Sequence, residues 1–358
     1  CLHFVLFEFF VVYYFRDFRA FRSFTFLKFR YLRGMKKVLM ILTKDRRDCV
    51  DMNLLLHERG GSFEVFDRVV FLLNAVTPQH MRYIDAWIER HPQVACDKII
   101  GDGTRPKGIS AMQNRCIEKY PDSFYAKTDE DVFVPDGWAR MMVEAYEAHR
   151  DRDDLALITP LLPNNAYGLH VLLNQYYPEL LEEHRQRFGC EPTIEPTGLT
   201  WRSPAVGEWA TRKFLNLAKA NNEQRTRILR STKNQEPSTG NPSSYHLFDK
   251  YFSIGCIGYD YRHWQRMGGI PWNDEPGWCT WIEEHRQVNV LDCRQIALHY
   301  TFFVQQEWLD RSSLIEDLRA TNLPDTMTMA DRLQLPRLAR MARQVPAVLK
   351  RRFAAKRG

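Results

Sequence analysis

Short apolar runs alternate with stretches of helical spacing through the first 160 residues. Val38–Thr43, Arg68–Leu73, Lys98–Gly101 and Phe124–Ala126 read as strands, with Leu155–Thr159 as a further one. Between them, apolar residues recur at helical spacing over Val50–Arg59, from Thr77-Pro78 to Arg90, over Ser110–Tyr120 and over Asp136–Ala148. Gly60-Gly61 closes the first of these helices and Pro78 opens the second. Strands alternating with helices predict a mainly parallel sheet flanked by helices, an α/β domain whose ligand site lies at the carboxyl ends of the strands.

Beyond residue 160 the pattern is less regular. Leu169–Phe188 and Arg212–Arg230 read as helices, and Ser231–Ser244 as a loop without an apolar residue. Tyr251–Tyr259 and Arg294–Phe303 read as strands, with a turn at Gly268-Gly269. After Pro324 the chain reads as basic and helical, and no internal repeat is present.

Charge divides the chain differently. The net charge is +6, yet Arg332–Gly358 carries +9 and residues 1–34 carry +4, leaving the body at −7. The eight cysteines are scattered with no CxxC pair, which excludes a zinc ribbon and suits a reducing cytoplasm. No run approaches the roughly 20 apolar residues of a membrane-spanning helix. Residues 1–34 contain ten Phe and precede Met35, which looks like a natural start, so upstream translation is the simpler reading and a membrane-interface segment the other.

The chemistry concentrates in Lys127-Thr-Asp-Glu-Asp-Val-Phe-Val134. Asp129 and Asp131 leave a strand two residues apart, a spacing that aims both carboxylates the same way and suits a hard cation such as Mg²⁺ or Mn²⁺. Asp274-Glu275 follows the Gly-Gly turn, and His299 lies in the last strand. Trp264, Trp272, Trp278 and Trp281 cluster around the acidic pair; Trp264 and Trp281 read as core, Trp272 and Trp278 as sugar-binding platforms.

This ordered set resembles the GT-A glycosyltransferases, above all the family-two inverting group. Val38–Arg46 resembles their first strand and nucleotide-contacting turn, Gly108-Ile-Ser-Ala-Met-Gln-Asn114 their helix beside the sugar nucleotide, and Asp129-Glu-Asp131 their DxD motif. The stretch from Tyr251 to Gly269 resembles their acceptor-side strand and turn. The DxD string is also similar to that of the β-1,3-galactosyltransferase and fringe group. Two departures stand out: the acidic pair is reversed, and Pro276-Gly277 follows it.

The resemblance implies a GT-A domain over 35–309, with a nucleotide-sugar half at 35–134 and an acceptor half at 135–309, and a basic helical tail over 310–358. It implies inverting transfer from a nucleotide sugar, expected to be a UDP-sugar, to a glycan or lipid-linked hydroxyl. Asp131, Asp129 and His299 would hold Mn²⁺ or Mg²⁺. Thr43, Lys44, Arg46, Gly108, Asn114, Asp129 and Glu130 would face the nucleotide sugar. Glu275, with Asp274 as the alternative, would be the base, and Trp272 and Trp278 would face the acceptor.

The basic tail suits an anionic membrane surface, which would place the protein at the inner face of a membrane; no aromatic–basic stripe for nucleic acid accompanies it. Two rival readings remain: a non-catalytic sugar- or membrane-binding module on the same fold, and a haloacid-dehalogenase-type phosphatase, which wants an apolar run where Lys127-Thr128 stands.

Overall fold

The computed structural model describes residues 34–195, 198–233, 244–300 and 304–324. The leader, most of the loop expected after Arg230 and the basic run from Arg332 lie outside them. Among the described residues no helix is long and apolar enough to cross a membrane.

One large sheet forms the body, flanked by helices. Its strands are β1 (Lys36–Thr43), β2 (Arg68–Asn74), β3 (Cys96–Gly101), β4 (Ser123–Asp129), β6 (Leu155–Leu161), β7 (Tyr245–Phe248), β8 (Cys256–Asp260) and β9 (Val288–Ile296), in the order β3-β2-β1-β4-β8-β6-β9-β7. A separate two-stranded sheet pairs β5 (Val132–Phe133) with β10 (Leu298–His299).

The expected α/β arrangement is present. β1 pairs parallel with β2, and β2 with β3. The apolar runs of β1 and β2 are continuous because helices cover both faces; Val38–Ile41 and Val69–Leu73 are buried throughout. The Glu130 amide donates to the Leu42 carbonyl at 2.8 Å, so β1 and β4 end side by side.

Past β4 the sheet becomes mixed. β8 runs antiparallel to β4 and β6, and β7 runs antiparallel to β9. The strand expected over Tyr251–Tyr259 is confined to Cys256–Asp260. The strand expected over Arg294–Phe303 begins earlier, at Val288, and breaks at Ala297, where β10 leaves the main sheet for β5.

The turn after β1 is built by local hydrogen bonds. Asp45 adopts a positive φ of 70°, and its carboxylate accepts from the Thr77 amide at 2.7 Å and hydroxyl at 2.9 Å. Thr77 in turn caps the helix Pro78–Arg90, accepting from the His80 amide at 3.2 Å. The C-terminal end returns to this half of the sheet. The helix Leu314–Asn322 packs on the helix Arg47–Arg59, and Arg319 pairs with Asp51 at 2.7 Å. Residues 310–324, assigned by sequence to the tail, are therefore docked on the body.

Candidate active site

A cleft of about 570 Å³ opens at the carboxyl ends of β1 and β4. Its metal-fit corner is built by strand pairing. β10 opposes β5 in a register that sets His299 against Val132, next to Asp131. The Tyr300 amide closes on the Asp131 carbonyl at 2.8 Å. His299 Nε2 thereby lies 3.4 Å from Asp131 Oδ1, and ligand atoms of Asp129, Asp131 and His299 fall within 4.8 Å of one another. Two carboxylates and one imidazole suit Mn²⁺ or Mg²⁺, the imidazole favouring the softer Mn²⁺.

Gly255 makes room for this corner. Its carbonyl accepts from the Asp129 amide at 2.9 Å, and a Cβ on it would stand 3.3 Å from Asp129 Oδ2 and 3.5 Å from the His299 ring. Burial alone would raise the Asp131 carboxyl, but His299 and then Arg46 bring it below its ordinary value. Burial likewise works against a charged His299, and Asp131 reverses the sign.

The acidic pair lies in the same cleft. Asp274 precedes the helix Glu275–Glu284 at φ 54°, where an aspartate would ordinarily cap the helix. Its side chain makes no capping bond and instead accepts from Gln113 Nε2 at 3.0 Å. Burial raises its carboxyl to about 6, although Lys127 and the Gln113 bond pull the other way. Glu275 is held at both oxygens, by the Tyr251 hydroxyl and by the Ile254 amide at 3.0 Å.

Lys127 joins the two groups, and the sequence reading gave it no role. Its side chain is 1 % exposed, and its Nζ donates to Asp129 Oδ1 at 2.6 Å and to the Ile254 carbonyl at 3.0 Å. Burial opposes its charge, but Asp129 and then Asp274 outweigh it and hold the pKa above the ordinary lysine value. The available signal was its position two residues before Asp129, on the same face of a strand.

The expected nucleotide residues divide. Lys44 lines the cleft, and so does Arg105, from the loop after β3, which the sequence reading passed over. Neither has an ion-pair partner among the described residues, so this wall offers positive charge to an anion. Thr43, Arg46 and Glu130 also line the cleft, but their polar groups are engaged with the protein. The Thr43 hydroxyl donates to Glu130 Oε2 at 2.6 Å and lies 2.7 Å from His80 Nε2. The Arg46 guanidinium is bound to Asp310 at 3.0 Å and sits 5.3 Å from the centre of the Tyr300 ring. Burial raises the Glu130 carboxyl to about 7.

Four residues expected at the site are placed elsewhere. Gly108 and Asn114 do not line the cleft. Gly108 is a packing glycine, since a Cβ there would collide with Asp102 and Thr104. Asn114 fastens the Gly-Gly turn: its Oδ1 accepts from Trp264 Nε1 and the Ile270 amide, both at 2.8 Å, and its Nδ2 donates to the Ile270 carbonyl at 3.0 Å.

Trp278 is 0 % exposed, donates to His263 Nε2 at 3.0 Å and stacks on that ring, so it is core. Trp272 is 70 % exposed but lies outside the cleft lining. Trp264 and Trp281 pack against the core, as expected.

Asn114→Ala is expected to destabilise the fold by about 2–3 kcal/mol, because it orphans three partners at once. That should lower the melting temperature by roughly 5 °C, measured by thermal denaturation. An unchanged melting temperature would contradict the fastening role.

No family model matches the sequence, and no curated protein matches it. Solved structures with similar folds include a mannosyltransferase from Pyrobaculum calidifontis in complex with GDP-Man and Mn²⁺. It is 12% identical at a TM-score of 0.44, over 95% of this chain and 88% of that one. GalNAc-T7 with UDP, GalNAc and Mn²⁺ is 10% identical at 0.43, over 81% of this chain and 48% of that one. Residues 1–349 of S. aureus TarS are 9% identical at 0.40, over 83% and 68%.

Proposed function

We propose that this chain is a metal-dependent glycosyltransferase of the GT-A type. It transfers a sugar, with inversion, from a nucleoside-diphosphate sugar, a UDP-sugar by the sequence resemblance, to a hydroxyl of a glycan or lipid-linked acceptor. One observation carries the reading: the cleft joins a trio fit for Mn²⁺ or Mg²⁺ to a separate carboxylate pair through one buried lysine.

A divalent ion at Asp129, Asp131 and His299 would offset the charge of the departing diphosphate. Lys44 and Arg105, without an ion-pair partner among the described residues and lining the same cleft, would draw the same phosphates into place. The acceptor hydroxyl must lose its proton as it attacks the anomeric carbon, and a carboxylate outside the metal trio is the group to take it.

Asp274 fits that role better than Glu275, which the sequence favoured. Glu275 has both oxygens committed to Tyr251 and Ile254. Asp274 has one oxygen held by Gln113, no hydrogen bond to its Oδ2 among the described residues, and a carboxyl near 6. Its positive φ, unusual outside glycine, is strain held at the point where the base is needed. Glu275 then acts as a fixed hydrogen-bond acceptor that positions Tyr251.

The test is release of nucleoside diphosphate from UDP-glucose, UDP-GlcNAc, UDP-galactose and GDP-mannose. With Mn²⁺ at least one donor should turn over, falling by about a hundredfold or more in EDTA and recovering when Mn²⁺ is restored. Undiminished turnover in EDTA would contradict the metal-dependent reading.

A further inference from the structure

We infer that Asn165 reads the transferred sugar: its side-chain NH₂ donates to a hydroxyl oxygen of that ring. This rests on the glycosyltransferase reading and adds a residue that selects the sugar of the donor.

Asn165 stands just past the carboxyl end of β6 and lines the cleft, although it is only 4 % exposed. All of its polar atoms but one are spent. Its amide donates to the Leu162 carbonyl at 3.0 Å, and its carbonyl accepts from the Leu169 amide at 2.8 Å. Its Oδ1 caps the helix Ala166–Val171, accepting from the amides of Tyr167 at 3.0 Å and Gly168 at 3.2 Å. Two N–H donors at that atom fix which end of the side-chain amide is oxygen. The Nδ2 is left over. It has no hydrogen-bond partner among the described residues, and it is not one of the side-chain nitrogens sealed from solvent. A donor held in a nearly buried side chain at the edge of a cleft asks for an acceptor from the ligand.

The strand order says which part of the ligand that is. β8 runs antiparallel to both β4 and β6, so β4 and β6 end at the same edge of the sheet. β4 brings Asp129 to that edge, with Asp131 just beyond it. Lys44, after β1, and Arg105, after β3, lie to one side of β4 in the sheet; β8 and β6 lie to the other. The acidic pair belongs with β8, since Glu275 is bonded to Tyr251 and Ile254 immediately before that strand. The transferred sugar has to sit between the diphosphate at the metal trio and the base, which is the β8–β6 side. An uncharged N–H donor suits a sugar hydroxyl there, whereas the phosphates are matched by the two cations.

The amide is also held still. Asn164, its neighbour, donates to the carbonyl of His299 and ties this turn to the metal trio. Gly168 lets the turn close, since a Cβ there would stand 2.5 Å from the Leu162 carbonyl. A donor fixed before the sugar arrives costs little ordering on binding.

The experiment uses Asn165→Ser and Asn165→Thr, whose hydroxyls still cap the helix but fall short of the Nδ2 position. Each is assayed with Mn²⁺ on whichever of UDP-glucose, UDP-GlcNAc, UDP-galactose and GDP-mannose the unaltered protein turns over. The kcat/KM for that donor should fall about five- to tenfold, the worth of one neutral hydrogen bond. The inhibition constant of the matching UDP or GDP, which lacks the sugar, should move by less than about twofold. Mn²⁺ affinity by calorimetry and the melting temperature should stay with the unaltered protein.

An unchanged kcat/KM, or an inhibition constant that rises in step with the loss, would overturn the assignment. So would a loss accompanied by weaker Mn²⁺ binding or a lower melting temperature in both variants, which would make Asn165 a structural cap alone. Turnover of none of the four donors by the unaltered protein would instead defeat the glycosyltransferase reading, and this assignment with it.

Discussion

Asp131→Ala should cut nucleotide-sugar turnover about a thousandfold or more while the protein remains folded, since losing roughly 4 kcal/mol of charge stabilisation corresponds to that factor. Asp131 is the member of the trio set closest to His299, and the β5–β10 pairing places both. Removing it leaves Asp129, whose Oδ1 already bonds to Lys127, and one imidazole. Neither can replace a second carboxylate on a hard cation. Two measurements bear on this: Mn²⁺ affinity by calorimetry, which should fall with turnover, and circular dichroism, which should keep its folded spectrum. A variant that binds Mn²⁺ and turns over normally would remove Asp131 from the site.

Asp274→Asn is the second large effect, about a hundredfold to ten-thousandfold in kcat, the range that general-base catalysis supplies. Glu275→Gln should cost less, because the Ile254 amide can still donate to the amide oxygen while the Tyr251 hydroxyl turns to accept from the amide nitrogen. The pH dependence separates the two. A base with a carboxyl near 6 works only when deprotonated, so kcat/KM should fall as pH drops through about 6. Asp274→Asn should abolish that limb and Glu275→Gln should keep it. Loss of the limb in Glu275→Gln alone would make Glu275 the base.

Stability should move in the opposite direction. The folded Asp274 carboxyl lies above its ordinary value of 3.8. Its contribution is therefore full below the unfolded value and lost as pH rises through about 6. At pH 7.5 the asparagine variant, with no charge to desolvate, is expected to melt higher than the parent protein. An active-site group that weakens the fold while serving catalysis behaves this way.

The first half of the fold was legible because β1, β2 and β4 are buried on both faces and the turns between them carry strong local signals. β1 and β2 were read within two residues at each end. The second half was not, because tertiary demands override pattern there. Phe252 to Ile254 has strand-like residues, yet Ile254 turns its amide to Glu275 and its carbonyl to Lys127, so pairing starts only at Cys256. In β9, buried Asn289 and Asp292 interrupt the apolar alternation and concealed where the strand begins.

The site followed the same division. Asp129, Asp131, His299 and Asp274 were visible as charged or basic groups against apolar surroundings. Gln113 and Asn114 are adjacent on one helix, and only the fold decides that Gln113 reaches Asp274 while Asn114 faces the Gly-Gly turn. The burial of Trp278 was hidden because its N–H partner, His263, lies fifteen residues earlier in sequence.

The buried ammonium of Lys127 makes the cleft a single electrical unit. It is bonded to Asp129 and also lies in the field of Asp274 and Glu275. Whatever neutralises Asp129 from the donor side leaves more of that positive field for Asp274, which lowers the proton affinity of the base. By reciprocity, an ionised Asp274 bears on what Asp129 will accept. Filling the donor pocket therefore moves Asp274 toward its deprotonated, working form before the acceptor arrives.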